Sequence, residues 1–134
     1  MQQDEKCSEL LVRFALNAME NAVAPYSKFK VGAAIITEEG KVFSGANVES
    51  ASFGLTCCAE RVALFKALTE GYKNFKTIAI TAAIENGPMP CGACRQLLAE
   101  YAWDADVWIF DSRNTENIRK FKVSDLLPEP FRKF

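Results

Sequence analysis

Two cysteine-containing segments carry the side chains best suited to chemistry in this 134-residue chain. Cys91 and Cys94 form a Cys-x-x-Cys motif after a turn-rich loop, and Cys58 begins a helical pattern further upstream. The sequence has no histidine, so a transition-metal site must use cysteine and carboxylate ligands. For the same reason, a general base must be a carboxylate, a lysine, a tyrosine or a cysteine. The cysteine segments are therefore the first candidates for a metal site.

The Cys-x-x-Cys motif alone allows three interpretations. Besides a metal site, it could be a redox dithiol beside a β-α-β unit or a pair of inert buried thiols. Cys58 favours the metal site, because the helices that follow the strands of an open α/β sheet begin at one edge of it. Cys58, Cys91 and Cys94 could then bind one tetrahedral zinc ion and leave its fourth position open, as catalytic zinc sites do. Cys57 is not expected to join them, because successive helical side chains point about 100° apart.

Glu60 and Arg61 follow closely after Cys58 and supply the other groups that zinc chemistry needs. Because the chain has no histidine, Glu60 is the natural proton shuttle between an activated water molecule and a substrate. Three thiolates give a zinc site a net negative charge, and Arg61 could offset that charge by donating to a thiolate sulfur. The alternatives are a first-turn glutamate favoured by the helix dipole and an ordinary surface arginine.

The surrounding pattern predicts the elements that must position these groups. Four stretches have helical character: residues 4–22, 58–68, 91–101 and, briefly, 124–127. Four others have strand patterns: residues 31–36, 41–47, 75–84 and 106–110. This order favours a three-layer α/β or α+β sandwich whose strands are at least partly parallel. The length fits a single domain over residues 1–134.

Composition and charge restrict the class of protein. The hydrophobic fraction of 49% and the charged fraction of 25% are ordinary for a globular protein. The net charge of −1 argues against a nucleic-acid partner or a membrane surface as partner. The N-terminal residues lack an apolar signal core, and no apolar stretch approaches the ~18 residues of a membrane span. The five cysteines cannot all pair within one chain, so we expect a reducing, cytoplasmic location.

Five motifs occur in order along nearly the whole chain: residues 26–34 (YSKFKVGAA), 47–52 (NVESAS), 58–61 (CAER), 90–96 (PCGACRQ) and 126–131 (LLPEPF). Together they resemble the motifs of the small homotetrameric, zinc-dependent cytidine deaminases, whose zinc signature pairs Cys-x-Glu with Pro-Cys-x-x-Cys. The resemblance implies an α/β fold, a three-layer α/β/α sandwich with a mixed central sheet. It also implies one Zn²⁺ per chain, bound by Cys58, Cys91 and Cys94, with Glu60 as the catalytic proton shuttle.

The same resemblance implies a set of substrate-binding residues. The backbone at Ala59 helps to hold the pyrimidine, Phe29 packs on the base, and Asn47 and Glu49 bind a ribose hydroxyl. Phe131 corresponds to a C-terminal aromatic residue that reaches the site of a neighbouring subunit in a homotetramer with shared active sites. Without the resemblance, Phe29 could be a core aromatic, Asn47 and Glu49 ordinary turn residues, and Phe131 a tail residue that caps the core.

Two positions stand apart from the family pattern. The family often has a tyrosine where this chain has Phe53, so a polar contact near the sugar lacks its hydroxyl. Cys57 does not correspond to a family ligand, and we expect it to serve in packing. Cys7 is predicted to lie on a face of the first helix.

The implied function is the hydrolytic deamination of cytidine and 2′-deoxycytidine to the uridines and ammonia, within pyrimidine salvage. One alternative is a deaminase of another aminated heterocycle, such as a cytosine-like antibiotic or a base within RNA. The net charge speaks against an RNA substrate, and Asn47 and Glu49 favour a free nucleoside. A second alternative is a non-catalytic binding module that zinc stabilises, in which Glu60 would have no chemical role.

Overall fold

A computed structural model describes the backbone of residues 2–131 and the side chains of residues 7–131. The helices are α1 (Gln2–Met19), α2 (Ala59–Thr69), α3 (Gly92–Tyr101) and the short α4 (Val123–Leu126). The strands are β1 (Val31–Thr37), β2 (Val42–Ala46), β3 (Phe75–Ala82), β4 (Asp106–Asp111) and β5 (Arg119–Lys122). Every predicted helix and strand is present, and β5 is an additional strand.

The strands form one mixed sheet in the order β2-β1-β3-β4-β5. Strands β3 and β4 pair in parallel, with Ile80 opposite Ile109, and all other neighbours are antiparallel. Helix α3 makes the crossover that a parallel pair requires. The predicted α/β fold with a mixed central sheet is therefore confirmed.

Helices cover both faces of the sheet, because side chains alternate between the two faces along each strand. On one face, Ile35 and Ile78 lie in a core with α2 and α3. On the other face, Ala34 and Phe110 lie in a second core with Leu11 of α1. The central strand β3 is buried at every position except Lys76, as expected for a strand that is covered on both sides. The result is the predicted three-layer α/β/α arrangement.

Gly32 allows α1 to approach the sheet closely. A Cβ atom at this position would overlap the carbonyl oxygen of Ala15 and lie 2.7 Å from the backbone nitrogen of Met19. Both obstacles are backbone atoms of α1, so the helix would have to move. A helix displaced from β1 would separate the residues of the second core.

We expect Gly32→Ala to lower the free energy of unfolding by about 3 kcal/mol, because overpacking against backbone cannot be relieved by a rotamer change. Gly54→Ala is the matched control, since nothing lies within 4 Å of a Cβ atom built there. It should change stability by no more than about 0.5 kcal/mol. Urea unfolding monitored by circular dichroism compares the two, and equal midpoints would contradict the close approach of α1.

Candidate metal centre and active site

The starts of α2 and α3 meet beside the sheet and bring three cysteines together. Cys58 is the residue that precedes the first turn of α2, Cys91 precedes α3, and Cys94 lies in the first turn of α3. The three Sγ atoms all lie within 4.8 Å of one another, and those of Cys91 and Cys94 are 3.5 Å apart. The two motifs are therefore close in space, as the sequence predicted.

The donor set fits a zinc ion. Tetrahedral coordination with Zn–S bonds of about 2.3 Å separates two sulfurs by roughly 3.8 Å, close to the observed arrangement. Cys94 is buried and Cys91 is exposed, so the group lies between the protein interior and solvent. In the part of the chain that the structure describes, these cysteines form the one cluster of metal-ligating groups found. Three thiol ligands leave one position of a tetrahedral ion for a non-protein ligand.

Cys57 and Cys7 lie outside this cluster. The backbone of Cys57 pairs with Val48 through two hydrogen bonds, Cys57 N to Val48 O (2.8 Å) and Val48 N to Cys57 O (3.0 Å). Burial raises the pKa of the Cys57 thiol, which keeps it protonated. Cys7 is in α1 and packs against the second core. Both positions agree with the packing and helix-face roles that the sequence predicted.

Arg61 provides positive charge next to the cysteine cluster. Its Nη2 atom donates to Cys58 Sγ at 3.3 Å and to the carbonyl oxygen of Thr56, also at 3.3 Å. The pKa of Cys58 is lowered to about 5. The largest cause is the hydrogen bond from the Cys94 thiol, and the contact with Arg61 lowers the pKa further, whereas partial burial opposes the shift. In return, the hydrogen bond to Cys58 raises the pKa of the guanidinium. The site therefore favours a thiolate at Cys58, which is the form that binds metal.

Glu60 is almost fully buried beside the same cysteines. The residue is 5% exposed and lies in the first turn of α2. Burial raises the pKa of its carboxyl group above the ordinary value, and the charge of Cys58 raises it further. A carboxyl group with a raised pKa keeps its proton more readily than an ordinary carboxyl group, so it is better suited to act as an acid as well as a base. Its position and protonation behaviour suit the proton-shuttle role that the sequence suggested.

A cavity of about 180 Å³ opens onto Glu60 and the cysteine cluster. Its lining is mostly apolar with a few polar groups, which is typical of a small-molecule site. The lining residues are Phe29, Val31, Asn47, Thr56, Cys58, Ala59, Glu60, Ile80, Pro88, Met89 and Cys91. The structure therefore places Phe29, Asn47 and Ala59 at one cavity with Glu60. A larger cavity of about 430 Å³ beside α1 has no group of cysteine ligands.

Asn47 holds the segment that carries Phe29. Its Oδ1 atom accepts a hydrogen bond from Val31 N at 2.9 Å, and its Nδ2 atom donates to Phe29 O at 2.8 Å. Asn47 is 8% exposed, whereas Phe29 is 38% exposed and faces the cavity. The amide thus fixes the entry of β1, and its predicted contact with a ribose hydroxyl stays a prediction.

Glu49 is bound to the turn that precedes Phe29. Its Oε1 atom accepts from Tyr26 N at 3.0 Å and from Ser27 N at 3.1 Å, and Ser27 Oγ donates to Oε2. The Ser27 hydroxyl is the main cause of the lowered pKa of Glu49. Ser27 was not among the predicted site residues, although it lies within the motif of residues 26–34. Its contact with Glu49 could not be predicted, because the two residues are 22 positions apart.

The C-terminal segment is attached to α3. Arg95 donates from Nε to Pro90 O at 2.8 Å and from Nη1 to Leu126 O at 3.1 Å, and Gln96 Nε2 donates to Phe131 O. Phe131 is 59% exposed and does not line the cavity of its own chain. Its predicted contact with a neighbouring subunit stays a prediction.

Phe53 lies on the surface near the turn at residues 24–29. It is 78% exposed, and its ring contacts Tyr26 edge-on with ring centroids 6.4 Å apart. It does not line the cavity.

Among the described residues, no helix has the length and apolar character needed to cross a bilayer.

Comparison with known proteins identifies the family. The profile of the cytidine and deoxycytidylate deaminase zinc-binding region matches residues 5–110, which include the three clustered cysteines and Glu60. A cytidine deaminase of Halalkalibacterium halodurans is 46% identical over 123 residues, 92% of each chain. A probable cytidine deaminase of Dictyostelium discoideum is 45% identical over 95% of this chain and 82% of its own.

Comparison of the fold with solved structures identifies the same family. The crystal structure of cytidine deaminase from Burkholderia pseudomallei superimposes with a TM-score of 0.87 at 45% identity, covering 92% of this chain and 98% of the other. The resemblance that the motifs suggested is thereby confirmed at the level of sequence and of structure. This chain belongs to the cytidine and deoxycytidylate deaminase family.

Proposed function

We propose that this protein catalyses the zinc-dependent hydrolytic deamination of cytidine and 2′-deoxycytidine to uridine and 2′-deoxyuridine, with release of ammonia. The observation that carries the proposal is the location of the buried Glu60 carboxyl at the same cavity as the cysteine cluster. A zinc-stabilised binding module would not require a buried acid at that place. Relatives named as cytidine deaminases at 45–46% identity also support the proposal.

The mechanism assigns a task to each group. Cys58, Cys91 and Cys94 would hold zinc, which would lower the pKa of a water molecule and so supply the nucleophile for C4 of cytosine. Glu60 accepts a first proton from that water and donates it to N3, and it then accepts the second proton from the oxygen added at C4 and passes it to the departing amine. The C4–N4 bond then breaks, ammonia leaves, and the carbonyl of uridine forms. Since Glu60 acts both as base and as acid, its raised pKa suits both steps.

The cavity lining suits a free pyrimidine nucleoside. Phe29 offers an aromatic surface to the base, and Ile80 and Val31 close the apolar side of the cavity. The backbone at Ala59 lies beside Glu60, where it would hold the pyrimidine. Asn47 lines the cavity, Glu49 is bound to the turn that precedes Phe29, and we expect both to bind the sugar hydroxyls. We expect no nucleic-acid or membrane partner, given the net charge of −1.

Arg61 would keep the metal site reactive, because its hydrogen bond to Cys58 Sγ reduces the negative charge that the thiolate places on the metal. We expect Arg61→Gln to lower kcat about tenfold while zinc stays bound, because outer hydrogen-bond partners typically affect metal sites by ~10–100-fold. Arg113→Gln is the control, since Arg113 pairs only locally with Asp111. Steady-state kinetics with zinc analysis checks both variants. A fall in zinc content that matches the fall in kcat would show that Arg61 acts on metal retention instead.

We further propose that the protein is one domain over residues 1–134 and a homotetramer with shared active sites. The apolar side chains of Phe131, Phe53 and Leu55 are exposed, which supports their burial by other subunits. The five free cysteines suit a cytoplasmic, reducing location, where thiol ligands persist. In that location the reaction would serve pyrimidine salvage. Sedimentation velocity tests the tetramer, and a monomer at micromolar concentration would contradict it.

The substrate class is tested with purified protein of known zinc content. Ammonia release is measured from cytidine, 2′-deoxycytidine, cytosine and a cytosine-containing oligonucleotide. We expect both nucleosides to react far faster than the free base or the oligonucleotide. Activity confined to a non-nucleoside cytosine derivative would favour the alternative heterocycle deaminase. Absence of activity in protein that contains one zinc per chain would overturn the enzyme assignment.

A further inference from the structure

The Ser27 hydroxyl makes two hydrogen bonds in the turn before β1. Ser27 Oγ donates to Glu49 Oε2 and accepts a hydrogen bond from Phe29 N at 3.0 Å. One side chain thus contacts both the carboxylate predicted to bind the sugar and the backbone of the residue predicted to contact the base. Asn47 secures the same segment from the other side by donating to Phe29 O at 2.8 Å.

The turn would not hold this shape without such contacts. Lys28 has a φ angle of +62°, in the left-handed region that residues with a Cβ atom seldom adopt. Its backbone nitrogen donates to Ala24 O at 3.0 Å, which closes the turn. A strained residue of this kind persists only when its neighbours fix it. Tyr26 through its backbone nitrogen, and Ser27 through its backbone nitrogen and hydroxyl, connect the turn to Glu49.

The carboxylate of Glu49 accepts three hydrogen bonds within the protein and can accept one more from a ligand. Each carboxylate oxygen accepts about two hydrogen bonds, so the donors Tyr26 N and Ser27 N fill Oε1. Oε2 accepts from Ser27 Oγ and keeps one position for a further donor. The two backbone donors therefore leave Oε2 as the available oxygen, and the Ser27 hydroxyl determines which side of Oε2 a ligand hydroxyl can reach.

We propose that Ser27 is a positioning residue for nucleoside recognition, which orients the Glu49 carboxylate so that its Oε2 atom accepts one sugar hydroxyl. This inference rests on the proposed function. It extends that function by assigning sugar recognition to the Ser27–Glu49 pair instead of to Glu49 alone. Ser27 does not touch the reacting atoms, so it acts on substrate affinity and leaves the chemical step unchanged.

The test combines kinetics with binding of the product uridine, measured by calorimetry. Ser27→Ala should raise KM for cytidine and weaken uridine binding by about tenfold each, the effect of removing a hydrogen bond to a charged group, while kcat stays within about twofold. Ser27→Thr keeps a hydroxyl and should restore most of the affinity. Ser52→Ala is the matched control, because Ser52 is exposed and its side chain makes no capping hydrogen bond.

A double-mutant cycle separates positioning from general loosening of the turn. In a Glu49→Ala background, Ser27→Ala should have almost no further effect on uridine binding, because the group that it orients is gone. Additive losses, or an unchanged KM in Ser27→Ala, would overturn the inference while leaving the proposed function intact. A wild-type protein that contains zinc but neither deaminates cytidine nor binds uridine would overturn the proposed function itself, and this inference with it.

Discussion

Glu60→Gln should reduce turnover of cytidine by about 10⁴-fold or more while the protein retains its zinc. The amide has nearly the same shape as the carboxyl but cannot accept and release a proton, and Glu60 is assigned several proton transfers in each turnover. Because Glu60 is 5% exposed, no water-borne acid can easily substitute for it. The measurement is steady-state kinetics on protein whose zinc content has been determined.

Zinc content is the control for this variant. The cysteine ligands are unchanged, so Glu60→Gln should bind as much zinc as the wild type and unfold at a similar temperature. Glu100→Gln provides a matched substitution at an exposed glutamate of α3 and should leave activity unchanged. Turnover within tenfold of the wild type would remove Glu60 from the mechanism and favour a binding module.

Cys58→Ala and Cys57→Ala should have opposite outcomes, although the two residues are neighbours. Cys58→Ala removes one of three clustered ligands, so zinc content and activity should both fall below detection. The loss cannot be attributed to helix capping, because the Cys58 side chain makes no capping hydrogen bond. Cys57→Ala should keep its full zinc content, because the Cys57 thiol lies outside the cluster.

Atomic absorption and thermal unfolding distinguish the two variants. The Cys58 variant should also melt at a lower temperature, since metal that binds only the folded state stabilises it. Equal zinc contents in the two variants would show that Cys58 is dispensable as a ligand. Zinc loss in the Cys57 variant would show that the adjacent thiol takes part in coordination.

The metal site could be predicted because its signals are local. Cys-x-x-Cys and Cys-x-Glu each lie within one helix start, and the alternation of strands and helices places both starts at the same side of the sheet. Neither step required knowledge of a distant contact. The pairing of Arg61 with Cys58 was likewise within reach, because these residues are one helical turn apart.

Strand β5 could not be predicted from its own residues. Three of its four positions are charged, and only Phe121 has an apolar side chain. The segment is a strand because β4 provides a partner, with Val107 opposite Phe121. Lys120 then lies over the Trp108 ring at 4.8 Å, a contact that depends entirely on this pairing.

The Ser27–Glu49 pair was also beyond prediction from sequence. The two residues are 22 positions apart and are joined by a turn, two strands and a loop. Glu49 was predicted as a ligand for the sugar, and its contact with the turn before Phe29 emerges only when the chain folds.

The placement of the cysteines at two separate helix starts has a consequence for the folding of this protein. An ion bound by Cys58 of one start and by Cys91 and Cys94 of the other links chain segments that enclose the whole of β3. Such a link is a reversible cross-link, and because it forms only in the folded chain, metal binding contributes directly to the free energy of folding. Metal supply and conformational stability are then coupled, so removal of zinc should lower the stability of the fold as well as the activity.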